Sequence, residues 1–229
     1  MKIWEDKRYY DRIERLDDLS HPGFLLAQEY CQEAKKILDV GCGNGSKLKK
    51  LGNSKTKRFG CEVSSLAKQW GFQVFNGIKL PYKDCSFDRV VSFFVLEHTD
   101  KPKELLVDMV RVLETGGLLI LLAPNFGAPN RASPNFEGSR IMKLIFNPEW
   151  HNVKPKIDSM EDFESDLDTT FESYLGTIAG YLPKLGMKII EKNSFWEMER
   201  SDAKIIQKLF RHFFADWGPH LFLVVQKIK

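Results

Sequence analysis

Apolar positions along this chain follow two rhythms. Short apolar runs bounded by charged or turn residues, at Lys36 to Val40, Arg58 to Val63, Phe72 to Phe75, Phe87 to Phe93 and Leu118 to Ala123, predict buried strands. Between them, Ser46 to Leu51, Ser64 to Trp70 and Pro102 to Leu113 carry helical spacing, and Gly116-Gly117 is placed to stop the last. Ser20 is positioned to cap a preceding helix with Pro22 in its first turn, running toward Ala34. Strands alternating with helices require right-handed crossovers. The fold class expected is therefore α/β, a doubly wound, mostly parallel sheet with helices on both faces.

The rhythm is lost from Asn125 to Thr170, where Pro129, Pro134, Pro148 and Pro155 accumulate, so an inserted lobe or lid is expected there. Beyond it, Thr169 and Glu172 have capping-box spacing ahead of a helix over Phe171 to Leu185, with Gly186 to end it. Met187 to Glu191 and Leu221 to Lys227 would bring the sheet to seven strands. Between these two, Ile205, Ile206, Leu209, Phe210, Phe213, Phe214 and Trp217 form an apolar face opposed by Lys204, Lys208 and Arg211. Packing on the sheet is the first reading of that face. A dimer contact, a lipid-like acceptor pocket and peripheral contact with an anionic membrane surface are the alternatives.

Composition narrows the class. With 34 basic and 31 acidic side chains the formal charge is only +3, which does not point to a nucleic-acid partner. Cys31, Cys42, Cys61 and Cys85 form neither a CxxC pair nor a zinc-ligand set, so no metal is expected and reduced thiols in the cytoplasm fit best. Met1 to Asp6 lacks a signal-peptide pattern, and the longest apolar run is too short to span a bilayer. A monomer or homodimer is expected.

The candidate chemistry begins where the first strand ends. Asp39-Val40 leads into Gly41-Cys42-Gly43-Asn44-Gly45, a glycine loop that lets backbone approach a ligand and points N–H groups into the crevice. The spacing is G-x-G-x-G, not the dinucleotide G-x-G-x-x-G, and Asp39 would repel a pyrophosphate. A cationic ligand without phosphate suits this acid better. Glu62, followed by Val63, lies roughly 20 residues on, at the end of the next strand, where a carboxylate can accept both hydroxyls of a ribose.

Ile37 to Gly45, Leu80-Pro81-Tyr82 with Ser86-Phe87-Asp88, Leu96-Glu97-His98, and Leu113 to Gly117 together resemble the ordered signatures of class I S-adenosylmethionine-dependent methyltransferases. The small-molecule group that includes ubiquinone and menaquinone biosynthetic enzymes is the most similar. This resemblance implies S-adenosyl-L-methionine as cofactor, with Asp39, Gly41, Cys42, Gly43 and Gly45 along its methionine and ribose parts and Glu62 and Val63 at the ribose. It places Asn76, Gly77 and Ile78 at the adenine edge and Phe93 and Phe94 beside the methionine portion. The family more often has Asp at position 76, and the Asn76 oxygen could still meet the adenine amino group.

Some members hold a metal at a Glu-x-x-Glu-His stretch, but Phe94 stands at the first carboxylate here, and no metal is assigned. His98 is the candidate general base for a substrate hydroxyl, with a capping or packing role as the alternative. Trp150, His151 and Tyr174 are the candidate acceptor contacts, and Asp166 and Asp168 lie beside them in sequence. Trp4, Tyr9 and Tyr10 are read as packing residues. The expected organisation is one domain over 1–229: a helical cap (1–35), a cofactor half (36–124), a substrate lobe (125–185) and closing strands (186–229).

Methyl transfer to a small-molecule, glycan or lipid acceptor follows as the expected activity. Its glycan arm comes from a similarity of Ala123 to Pro134 to methyltransferases found with bacterial glycan assembly. A nicotinamide-dependent reductase would want the longer glycine fingerprint and a Tyr-x-x-x-Lys pair, which none of the six tyrosines supplies. A non-catalytic scaffold would have no physical need of Asp39, Gly41, Gly43 and Glu62.

Overall fold

The computed structural model describes residues 3–16, 19–128, 131, 150, 152–154, 168–195 and 217–229. Seven strands form one sheet: β1 (Lys36–Val40), β2 (Lys57–Glu62), β3 (Gln73–Val74), β4 (Phe87–Phe93), β5 (Leu113–Pro124), β6 (Met187–Phe195) and β7 (His220–Lys227). Their order is β3-β2-β1-β4-β5-β7-β6, and β7 runs antiparallel to both neighbours while β1 to β5 are parallel. The doubly wound arrangement is thus present. Because β7 is reversed, its first residue, His220, pairs with Pro124 at the carboxyl end of β5.

Among the described residues the α-helices are α1 (Lys7–Leu16), α2 (Pro22–Cys31), α3 (Pro102–Val112) and α4 (Leu175–Tyr181), of which α2, α3 and α4 pack on the sheet. Strand alternation sends side chains to two cores. Leu38, Val90, Leu119, Leu121 and Leu223 pack toward α3 and α4, and Ile37, Val91, Ile120, Leu122 and Phe222 toward α2. Both faces are therefore buried, as an α/β sheet requires.

Several boundaries differ from the sequence expectation, each for a local reason. The cap of α2 is His21, not Ser20, because the His21 Nδ1 accepts the Gly23 N–H at 3.0 Å. The capping box of Thr169 and Glu172 does not form. Phe171 bridges to Asn152, Glu172 accepts from the Tyr174 hydroxyl at 2.8 Å, and α4 begins only at Leu175. Its start is held from outside, by Asn125 Oδ1 accepting the Leu175 N–H at 3.3 Å. Helix α3 ends at Val112, within one residue of the expected Leu113, but Gly116-Gly117 play no part in stopping it and lie within β5. The buried Lys227 ammonium donates to the Val110 and Leu113 carbonyls at 2.8 and 2.7 Å, so a cation completes the helix end. Ser46 to Leu51 shortens to a single 3₁₀ turn at Leu48–Lys50, Ser65–Trp70 is also 3₁₀, and β6 extends to Phe195.

The apolar face between β6 and β7 lies outside the described residues, except Trp217. So do Asp166 and most of the proline-rich lobe. No helix among the described residues is long and apolar enough to cross a membrane.

Candidate functional site

The carboxyl ends of β1, β2 and β4 meet in a crevice shaped by three constraints on the backbone. Gly41 has φ +78°, and a Cβ there would lie 2.3 Å from the Val95 side chain. Gly45, also at φ +78°, would collide with the Phe72 ring at 2.5 Å. These two positions need glycine for both conformation and space. Gly43 differs: a Cβ would meet only the Tyr10 ring, at 3.4 Å.

Glu62 ties the loop to β2. Its Oε2 accepts the Gly43 N–H at 3.0 Å and its Oε1 the Val63 N–H at 2.6 Å. The carboxylate is buried, and burial pushes its pKa up while the N–H groups of Gly43, Val63 and Ser64 pull it down. With three N–H groups around about four lone-pair sites, the carboxylate keeps acceptor capacity for a ligand hydroxyl. Asp39 is buried in β1 between Gly60 of β2 and Val91 of β4. Two buried carboxylates beside an opened backbone suit a ligand with a diol and positive charge, and they are inhospitable to phosphate.

Residues 38–121 match the family described as methyltransferase domain. The chain carries a class I, S-adenosylmethionine-dependent methyltransferase domain. It is 28% identical over 205 residues to the chloroplastic tocopherol O-methyltransferase of Arabidopsis thaliana, covering 79% of this chain and 58% of that protein. It is 31% identical over 125 residues to the probable tRNA methyltransferase 9B of Bos taurus, covering 49% of this chain and 27% of that one. The chain thus spans well under two thirds of these relatives. Among solved structures, the putative methyltransferase of Haloferax volcanii, seen with the Trm112 methyltransferase activator, aligns with a TM-score of 0.63 at 16% identity. That alignment covers 98% of this chain and 96% of the other and speaks for the fold alone.

The remaining expected residues of the methyltransferase crevice fall into different environments. Cys42 is buried with its sulfur against Gly60, so only its backbone faces the loop's open side. Asn76 corrects the expectation placed on it. Its Oδ1 accepts from the Ile78 and Lys79 N–H groups at 3.1 and 2.8 Å, so both lone pairs serve a turn and the amide N–H₂ remains for a ligand. Gly77 forms the turn at φ +80°, with Val63 beside it and Ile78 half-buried. Phe93 packs in the core on Phe24, whereas Phe94, at φ +58°, turns back toward the strand ends.

His98 stands on the 3₁₀ turn Leu96–His98 just past β4. Asp168 Oδ2 lies 3.5 Å from its Nδ1, and Glu97 Oε1 lies 3.9 Å from its Nε2. Tyr9 of α1 donates to the same Asp168 oxygen at 3.4 Å. Burial, then the charge of Asp168, raises the Tyr9 pKa far above its ordinary value, so this hydroxyl remains a donor. The segment bearing Asp168 is moored here too, since the Glu97 carbonyl accepts the Thr170 and Phe171 N–H groups at 2.7 and 3.0 Å.

Of the acceptor candidates, Trp150 stacks on Phe171 at 5.4 Å and meets Tyr181 edge-on at 5.1 Å, a packing position. Tyr174 is buried with its hydroxyl on Glu172, and His151 lies outside the described residues. The packing role expected of Trp4, Tyr9 and Tyr10 is what the N-terminal segment shows. Tyr10 packs on Trp70 at 4.9 Å and faces Gly43, and Glu5 accepts from the Ser65 hydroxyl at 2.6 Å, so the N-terminal segment closes over the glycine loop. Only the run of aromatics at Trp4, Tyr9 and Tyr10 signalled it. Among the described residues no group of three or more His, Cys, Asp or Glu is disposed to hold a metal ion.

Proposed function

We propose that this protein transfers a methyl group from S-adenosyl-L-methionine to a small-molecule, glycan or lipid acceptor. The observation that supports this most is the Glu62 carboxylate, buried at the end of β2 and hydrogen-bonded to the glycine loop after β1. In this reading S-adenosylmethionine supplies an electrophilic methyl carried on a sulfonium. Glu62 takes the ribose hydroxyls, Asp39 offers negative charge beside the glycine loop, and Asn76, Gly77 and Ile78 border the adenine. Tyr10 and Trp70 exclude water from above.

His98 is assigned the acceptor's proton. Asp168 Oδ2, 3.5 Å from Nδ1, orients the ring, and the imidazole is the group assigned to take the proton of a substrate hydroxyl. Loss of positive charge at the sulfur needs little solvation, so positioning and exclusion of water carry most of the rate. Four free cysteines, three of them buried, suit a reducing compartment such as the cytoplasm.

In His98→Ala, methyl transfer should fall by about 10²–10⁴-fold, the range for losing a general base, with adenosylhomocysteine affinity retained. Full turnover in that variant would remove the assignment. A second reading, an RNA acceptor used with a small activator protein, draws support from the tRNA methyltransferase similarity and the Haloferax fold match. Tritiated methyl groups counted in RNA, lipid, glycan and small-molecule fractions separate the two readings.

A further inference from the structure

Two histidines 199 positions apart meet at the strand ends, beside the site described above and outside it. His21 caps α2, and His220 opens β7 opposite the last residue of β5. Their Nε2 and Nδ1 atoms lie 3.0 Å apart. The tautomers follow from hydrogen-bond logic. Because His21 Nδ1 accepts the Gly23 N–H, the neutral ring carries its proton on Nε2 and donates it to His220 Nδ1. His220 must then carry its own proton on Nε2. Among the described residues that N–H has no acceptor, and the nitrogen is not among the fully buried polar atoms.

Aromatic rings wall this donor. Phe94 stands 5.5 Å from the His220 ring and 6.0 Å from the His21 ring, and Phe195 stands 5.8 Å from His21. Phe94 holds a left-handed backbone that a bulky residue rarely adopts, pinned by its N–H on the Leu122 carbonyl at 2.7 Å. The turn brings the ring out of the core and against the histidine pair. The Lys47 ammonium lies 5.6 Å over its face, on the glycine-loop side. Phe94 thus stands between Lys47, which follows the glycine loop, and the histidine pair.

We infer that His220, oriented by His21, is a specificity-determining donor for the methyl acceptor, recognising a flat apolar molecule that presents a carbonyl or ring-nitrogen lone pair beside Phe94. This rests on the methyl-transfer reading of the crevice. A fixed donor rejects analogues that lack its partner far more strongly than an apolar wall does, because such an analogue strips the N–H of solvent and offers it no acceptor. Burial, with Arg131 and His21 nearby, pushes the His220 pKa down to about 3, which keeps the ring in the neutral form that this chain of donors requires.

The test uses the full chain with adenosylhomocysteine bound and ¹⁵N-labelled histidine. Long-range ¹H–¹⁵N spectra at pH 7 should show both rings as Nε2–H tautomers. Acetophenone, a flat ring with a carbonyl, should shift the His220 signals and bind at least tenfold more tightly than ethylbenzene, the same shape without the acceptor. His220→Phe should abolish that preference, His220→Gln should restore part of it, and both should bind adenosylhomocysteine within twofold of wild type. An Nδ1–H tautomer at His220, no acetophenone binding, or equal affinity for the two probes overturns the inference. Failure of the wild-type chain to bind adenosylhomocysteine instead defeats the underlying methyl-transfer reading.

Discussion

The proposed cofactor side and the proposed acceptor side of the site are built by opposite means. The first is contiguous: Asp39, Gly41, Gly43, Gly45 and Glu62 come from one strand-loop-strand passage, and the Gly43–Glu62 hydrogen bond closes it across 19 positions. The second is assembled from afar. His98 meets Asp168, Asp168 meets Tyr9 across 159 positions, and His21 meets His220 across 199. The proposed cofactor side depends on backbone shape, which an added methyl at Gly41 or Gly45 would disrupt. The acceptor side depends on side chains whose partners the tertiary fold supplies.

The sharpest way to test this contrast is to set an added methyl in the glycine loop against altered side chains on each side. Gly41→Ala combines a left-handed backbone with a Cβ 2.3 Å from Val95, and it should cost about 3–4 kcal/mol in urea unfolding, with adenosylhomocysteine binding lost as well. Glu62→Gln keeps the shape and removes the charge. Calorimetry should show adenosylhomocysteine affinity weakened by about 1.5–3 kcal/mol, while His98→Ala leaves it alone.

A pH series probes the histidine pair. His220 is depressed below its unfolded value of 6.5 to about 3, so the unfolded chain takes up a proton over that window and the folded one does not. The stability that neutral His220 contributes is fully present above pH 6.5 and declines as pH falls toward 3, by about 1.4 kcal/mol per unit at the steepest. Melting curves should show this slope flattened in His220→Phe. The smallest effect is expected at Gly180 in α4, where a Cβ would meet nothing within 4 Å. Gly180→Ala should stabilise by about 0.5–1 kcal/mol.

The same contrast explains what the sequence disclosed. Alternating β and α elements are local patterns, so the doubly wound sheet and the glycine loop were readable before any coordinates. Helix ends were less so, because their partners are distant. Lys227 completes α3, Asn125 caps α4, and His21 displaces Ser20, and none of these pairings leaves a trace in local spacing. Asn76 was read with its oxygen available to a ligand because the Asx turn that occupies it is visible only in the folded backbone. Tyr9 and Tyr10 pack as expected, but the Asp168 and Gly43 that they meet are named only by the fold.

The central claim is that the passage from Asp39 to Glu62 forms a nucleoside pocket, and titration calorimetry of the folded chain with adenosylhomocysteine tests it most directly. One molecule should bind per chain with a dissociation constant on the order of micromolar, about −8 kcal/mol, and Gly41→Ala should abolish the heat. A folded wild-type chain that gives no heat, or a Gly41→Ala variant that binds as tightly as wild type, would contradict the account.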